Sequence, residues 1–302
     1  MLISDMHSDS LLRVSADVEL VKKYNSPKNG GWLQLFAAFV PCFGRAPEAR
    51  RRELLRLLNV YVCETDRLGI SRVDTVRDLI SSTDMNGRAS IFAIEGGGGL
   101  LSDSEELSTL HKLGLRVFGF AWDSNELASG ALAEEDGGLT AEGRRMAKRL
   151  SELGIVADVS HISDRAFWHL CDAYPLPIIA THSNFRDVCS SKRNLTIEMS
   201  REISARGGVI GLNLYPDFLR DGGDASVDDI YRHVDYALTE LGERTLGYGF
   251  DIDGTDSKYP KGITEGESIY DTVTDYLLGK YSDSVVRRIA GENVADFFKG
   301  VL

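Results

Sequence analysis

The chain has 302 residues, 43% hydrophobic and 26% charged, an ordinary globular composition that suits one large domain or two small ones. With a formal net charge of −12 and no Lys/Arg cluster dense enough for a phosphate-binding face, it is not expected to bind nucleic acid or an anionic membrane. The four cysteines (Cys42, Cys63, Cys171 and Cys189) form no C-x-x-C pair, there is no leader-like start or hydrophobic tail, and no apolar run approaches the ~20 residues of a membrane span; a cytoplasmic protein is expected.

Strand-like apolar runs recur at residues 2–7, 33–41, 89–95, 115–122, 154–161, 177–183, 208–215 and 246–251. Most are continuous rather than alternating, as in parallel strands covered on both faces. Helical periodicity fills the intervals. Leu54, Leu55, Leu58, Tyr61 and Val62 share a face, as do Met146, Leu150 and Leu153 ahead of a capping Gly154. Ser102 with Glu105, and Ser226 with Asp229, have capping-box spacing; Val227, Ile230, Val234, Leu238 and Leu241 form a stripe behind the second pair. Residues 22–31 and 221–225 read as loops. Eight strands alternating with helices predict a (β/α)8 TIM barrel, one domain over 1–302, with a helical extension at 265–302 packed on its outside. The competing doubly wound sheet lacks a G-x-G-x-x-G after its first strand.

In such a barrel the chemistry sits where the strands end. The first run ends at His7 and Asp9, the third at Glu95, the fifth at His161, the sixth at His182 and the eighth at Asp251. A lone histidine at a strand end is more often structural than a ligand. Three of only six histidines at such ends, with three carboxylates at others, is a metal-ligand mix. Six groups exceed one tetrahedral ion and suit two ions ~3.5–4 Å apart with a bridging carboxylate. His111, His169 and His233 fall in helical segments and read as non-ligands. The Gly96–Gly99 run lacks a P-loop ending, so it reads as backbone freedom beside a buried acid. Nothing marks Ser183 or Cys189 as an activated nucleophile. Arg193, in the loop after the sixth strand, is either a clamp for a substrate carboxylate or a solvated side chain, and spacing does not separate the two. Tyr215 is likewise either a hydrogen-bond donor or a rim aromatic.

Asp-Met-His-Ser-Asp (5–9), Ile-Glu-Gly (94–96), Asp-Val-Ser-His (158–161), Thr-His-Ser (181–183), Lys-Arg-Asn (192–194) and Gly-Phe-Asp-Ile-Asp-Gly (249–254) together resemble the motifs of the membrane dipeptidase (renal dipeptidase) family of zinc peptidases, a branch of the amidohydrolase-like metal barrels. The resemblance implies two Zn2+ ions, with His7 and Asp9 on the first, His161 and His182 on the second, and Glu95 shared. It implies Arg193 as the clamp for a dipeptide's carboxylate, Tyr215 as a helper, and Asp251 as the acid that moves protons and meets the substrate's amino group. It also suggests a dimer. Many relatives bridge their metals with a strand-four lysine, which Phe118-Gly-Phe-Ala-Trp122-Asp123 does not offer. Better-known members carry a substrate-contacting histidine just after that strand; the equivalent position here is Trp122, so oxyanion contact falls to the metal, to Asn125 or to a moved loop. The expected activity is hydrolysis of dipeptides, including those with a D-residue. The alternatives are an amidohydrolase for another small amide (an N-acyl amino acid, lactam or cyclic amide) and a non-catalytic metal-binding barrel.

Overall fold

The computed structural model describes residues 1–14, 26–41, 45–83, 87–100, 104–255, 258–263 and 268–302. Cys42, Ser102, residues 22–25 of the first expected loop and residues 265–267 of the extension lie outside them. The strands are β1 (Ile3–Asp5), β2 (Trp32–Phe39), β3 (Ser71–Arg72), β4 (Arg88–Glu95), β5 (Leu115–Gly119), β6 (Val156–Asp158), β7 (Ile178–Ile179), β8 (Ile210–Leu212) and β9 (Leu246–Tyr248). Their order is β7-β6-β5-β4-β2-β1-β9-β8, all parallel, and the parallel bridge Ala180↔Ile210 joins the two ends. This is the expected (β/α)8 barrel, with every expected run contributing a strand. The one addition, β3, pairs on the side of β4 and has only two residues, Ser and Arg, which carry no apolar signal.

The connecting helices are α1 (Ser10–Arg13), α2 (Pro47–Leu68), α3 (Val76–Thr83), α4 (Ser104–Lys112), α5 (Ala141–Leu153) and α6 (Asp164–Ala173). After them come α7 (Ile197–Ala205), α8 (Pro216–Leu219), α9 (Val227–Leu241), α10 (Ile269–Leu278), α11 (Asp283–Arg287) and α12 (Asn293–Val301), the last preceded by a π-helical turn at Arg288–Glu292. Their ends follow local chemistry. Thr140, Ser163 and Thr196 accept from Gly143, Ala166 and Met199 N–H at the starts of α5, α6 and α7. Ser226 and Asp229 form the expected capping box, and Gly154 ends α5 at φ 69°. No described helix is long and apolar enough to cross a membrane.

Strand alternation sorts the core into two layers. Phe36, Phe92, Phe118, Ile178 and Ile210 face the helices, against Leu54, Leu150, Leu170 and Val234. Leu33, Leu35, Ile91, Val117, Val156, Ile179 and Val209 fill the lumen. Val294, Phe297 and Phe298 of α12 belong to this luminal layer. Within the expected extension, Ile269, Tyr270, Val273, Leu277 and Val286 join the helix-facing layer, while the last helix covers the lumen's amino-terminal end. Each fully buried aliphatic or aromatic side chain there contributes ~1.5–3 kcal/mol. With that end sealed, the opposite rim is free to carry chemistry.

Candidate metal centre and active-site cleft

Alternation along β4 places Glu95, its last residue, on the luminal side with Ile91 and Ala93. His7 and Asp9 follow β1, His161 follows β6, His182 follows β7 and Asp251 follows β9, so all six expected groups meet at one rim. His7 Nε2 lies 3.6 Å from Glu95 Oε2, 3.7 Å from Asp9 Oδ1 and 3.8 Å from Asp251 Oδ1. His161 Nε2 and His182 Nε2 face each other at 2.7 Å, and Glu95 Oε1 is 2.9 Å from the first and 3.4 Å from the second. Two sets of ligand atoms gather within 4.8 Å, His7–Glu95–His182 and His7–Asp9–Asp251. His7 belongs to both sets, and Asp251 joins His7 and Asp9 in the second.

Two residues here adopt left-handed backbone, His161 at φ 68° and Asp251 at φ 55°, and no other described non-glycine residue does. Each such conformation costs on the order of 1–3 kcal/mol and persists only where its surroundings enforce it. Three buried carboxylates beneath the rim do so. Asp5 accepts the N–H groups of His7 (2.9 Å) and Phe250 (3.2 Å) and the Tyr270 hydroxyl (2.8 Å), tying β1 to β9. Asp158 accepts Ser160 N–H (2.9 Å), Thr181 N–H (2.9 Å) and the Thr181 hydroxyl (2.6 Å), tying β6 to β7. Asp253 accepts Asp9 N–H (3.0 Å) and the hydroxyls of Ser8 and Ser10. Asn213 donates to Asp251 Oδ2 at 3.2 Å, leaving Oδ1 turned to His7. Gly254 completes the packing, because a Cβ there would lie 2.0 Å from Asp251 Oδ1.

The electrostatics are those of a cation site. Burial pushes the Glu95 carboxyl well above the usual range and that of Asp251 up to about 7; Asp5 rises to about 6 for the same reason. Burial works to lower His7, but the charges of Glu95, Asp9 and Asp251 outweigh it and hold its imidazole well above the ordinary value. Burial, followed by the neighbouring cations Arg193 and His7, drives His161 and His182 far down, so both are neutral imidazoles, the ligating form. His7 Nε2, Asp9 Oδ1 and Asp251 Oδ1 are buried without a hydrogen-bond partner among the described residues. Buried carboxylates and imidazoles converging on one point, with unpartnered atoms among them, fit one or more divalent ions, which would take the place of the proton on His7.

Beside this centre opens a cleft of about 590 Å3, lined by Trp122, Leu132, His161, Arg193, Tyr215, Phe218 and Asp251 among others, a size suited to a small ligand. Arg193 is buried, not solvated. Its Nη1 donates to Ser183 Oγ (2.8 Å) and its Nη2 to the His182 carbonyl (2.9 Å), while Nε has no partner among the described residues. Tyr215 packs on Phe218 with centroids 4.9 Å apart, and Trp122 stands 6.0 Å from the His161 ring. Asn125 is not brought to the cleft: it donates to the Phe120 carbonyl and accepts from Leu127 N–H, so the loop's own backbone engages its amide. Nor does the glycine run form an anion site, since a Cβ on Gly97 would lie 2.0 Å from the Phe118 ring, and the requirement is for close packing. Asp5, Asp158, Asp253 and Asn213 escape a reading by strand ends, although Asp5 and Asp158 sit two and three positions before a rim histidine.

The profile of the membrane dipeptidase family (peptidase family M19) matches residues 3–301. An uncharacterized protein from the pqqA 5′ region of Klebsiella pneumoniae is 36% identical over 177 residues, 55% of this chain and 65% of that protein; the chain therefore spans a little under two thirds of that curated relative. The crystal structure of dipeptidase AC, a metallo peptidase of family M19, superposes with a TM-score of 0.88 at 25% identity, covering 100% of this chain and 98% of the other. A metallo peptidase from Rhodobacter sphaeroides, liganded with a phosphinate mimic of the dipeptide L-Ala-D-Ala, gives 0.87 at 24% identity over 100% and 99% of the two chains. The rim of imidazoles and carboxylates on a parallel barrel, and a profile match running almost from end to end, place the chain in the membrane dipeptidase family.

Proposed function

We propose that the chain, as a single barrel domain, is a metal-dependent dipeptidase that holds two divalent ions, with zinc the expected metal. The observation carrying this reading is the convergence of His7, Asp9, Glu95, His161, His182 and Asp251 on one rim, with His7 Nε2, Asp9 Oδ1 and Asp251 Oδ1 lacking a partner among the described residues, beside a cleft that contains a buried arginine. His161, His182 and Glu95 would hold one ion and His7, Asp9 and Glu95 the other. When bound, such ions supply Lewis acidity, polarising a peptide carbonyl and making a water acidic enough to attack near neutral pH.

The chain's own groups do the rest. Asp251, with Oδ1 turned inward and its pKa near 7, accepts a proton from the attacking water and returns it to the leaving amine. Arg193 binds the substrate's free carboxylate through the N–H groups it does not spend on Ser183 and His182, which excludes longer peptides. Tyr215 and Trp122 wall the cleft and orient the side chains. A phosphinate mimic of a dipeptide on the Rhodobacter structural neighbour and the name of the family support this substrate class. Unpaired Cys63, Cys171 and Cys189 suit a cytoplasmic setting.

The test is metal analysis together with hydrolysis of a dipeptide panel that includes L-D pairs. Metal-replete protein inert on the whole panel overturns the reading. Trp122, 39% exposed where the family resemblance leads one to expect a histidine, favours a second reading, a hydrolase of another small amide; higher kcat/KM on N-acyl amino acids than on dipeptides would select it.

A further inference from the structure

We propose that Thr181 and Asp158 are positioning residues that fix His182 in the one tautomer able to present Nε2 to a metal. The inference rests on the metal-dependent reading above and concerns how the apoprotein prepares that ligand. His182 and His161 reach the rim by different means. The His161 ring bonds the Trp122 backbone, whereas His182 Nδ1 lies 2.8 Å from Thr181 Oγ1, a group that can either give or take a proton. Taken alone, the Thr181–His182 contact leaves the tautomer open.

Asp158 removes that freedom. Its Oδ2 lies 2.6 Å from Thr181 Oγ1, and with two backbone N–H groups on Oδ1 the carboxylate is an acceptor at both oxygens, so the single hydroxyl proton points to Asp158. The other acceptor in reach, Ser160 Oγ, is 3.3 Å away and uncharged, and loses to the carboxylate. Thr181 Oγ1 must then accept from His182 Nδ1–H, which leaves Nε2 bare. That nitrogen faces His161 Nε2 at 2.7 Å and Glu95 Oε1 at 3.4 Å. All three members of the relay are buried, so water does not offer a competing partner. Asp158 cannot swing away, because its Oδ1 is held by the N–H groups of Ser160 and Thr181, which follow β6 and β7, and His182 N–H is held by Ser160 Oγ at 3.1 Å.

Changing Asp158→Asn would put an amide donor against Thr181 Oγ1. The hydroxyl proton would be free to turn to His182 Nδ1, favouring the Nε2–H tautomer that cannot ligate. Thr181→Val keeps the shape and the backbone N–H but deletes the relay, whereas Thr181→Ser restores it. The experiment uses full-length apoprotein, nitrogen-15 NMR of the histidine side chains, and zinc affinity by chelator competition. Wild-type apoprotein should show His182 as Nδ1–H. Thr181→Val and Asp158→Asn should bind zinc 10–100-fold more weakly, the usual effect of losing a group behind a ligand, and Thr181→Ser should stay within a few-fold of wild type. His182 found as Nε2–H in wild-type apoprotein overturns the proposal without any variant. So does zinc binding by both Thr181→Val and Asp158→Asn at wild-type affinity. Wild-type protein with no zinc affinity would instead refute the metal-dependent function itself.

Discussion

Arg193 offers the sharpest test of the cleft. A guanidinium has five N–H donors, and two are spent on Ser183 Oγ and the His182 carbonyl, leaving three for a ligand. Burial lowers its pKa to about 10, so it remains a cation at neutral pH. Two charge-assisted bonds to a substrate carboxylate are worth ~1.5–3 kcal/mol each. Taking ~3 kcal/mol in total, at 1.36 kcal/mol per factor of ten, the free carboxylate should be preferred over its amide by about 150-fold. Arg193→Ala alone is ambiguous, because it also releases the turn carrying His182. The informative assay compares kcat/KM for a dipeptide and for the same dipeptide amidated at its carboxyl end, in wild type and in Arg193→Ala. The wild-type ratio should be near 150 and the variant's near one. If Arg193→Ala slows both substrates by the same factor, Arg193 acts by bracing His182 and the carboxylate-clamp assignment is wrong.

Chelation should abolish hydrolysis and lower Tm, and returning free zinc to 100 times its Kd should restore ~2.7 kcal/mol of stability per ion; a titration saturating at one ion rejects the two-ion site. His233 is buried between the Phe185 N–H and the Leu219 carbonyl, and burial lowers its pKa to about 4. Below pH ~6.5 the unfolded chain takes up a proton there that the folded chain refuses until about pH 4, so this contribution of ~3 kcal/mol is complete above 6.5 and is lost as pH falls between those values. An NMR titration placing the His233 ring near 6.5 would contradict this. Phe298→Ala should cost ~3–5 kcal/mol by denaturant unfolding, through the cavity left in the lumen; a loss under ~1 kcal/mol would mean that α12 does not close the barrel as described.

The strands and the rim residues were legible because both depend on short-range pattern. A parallel strand announces itself by a continuous apolar run, and the residue just past it faces the rim, which is why His7, Glu95, His161, His182 and Asp251 could be named together. Arg193 needed the fold, because its burial depends on packing against the His182 turn. Asp5 and Asp253 were illegible for a related reason. Asp5 bonds Phe250 across 245 positions and Asp253 bonds Asp9 across 244, so their partners exist only once the barrel has closed. Asn125 shows the opposite failure: it lies near the right strand, but a local turn satisfies its amide before the cleft can use it.

The sealing of the lumen by α12 bears on how the molecule is made. Ser4 bonds the Gly291 carbonyl across 287 positions, and Val294, Phe297 and Phe298 complete a core whose other members are made earlier. Contacts of such separation form late, because loop closure must be met before they repay it. During synthesis the growing chain is therefore an unsealed sheet, with β1 awaiting β9 and an apolar face left uncovered. His161 and His182, 21 positions apart in one βαβ unit, can meet early. His7 and Asp251 meet only when the last part of the chain arrives, so the two halves of the centre mature at different moments in the life of the polypeptide.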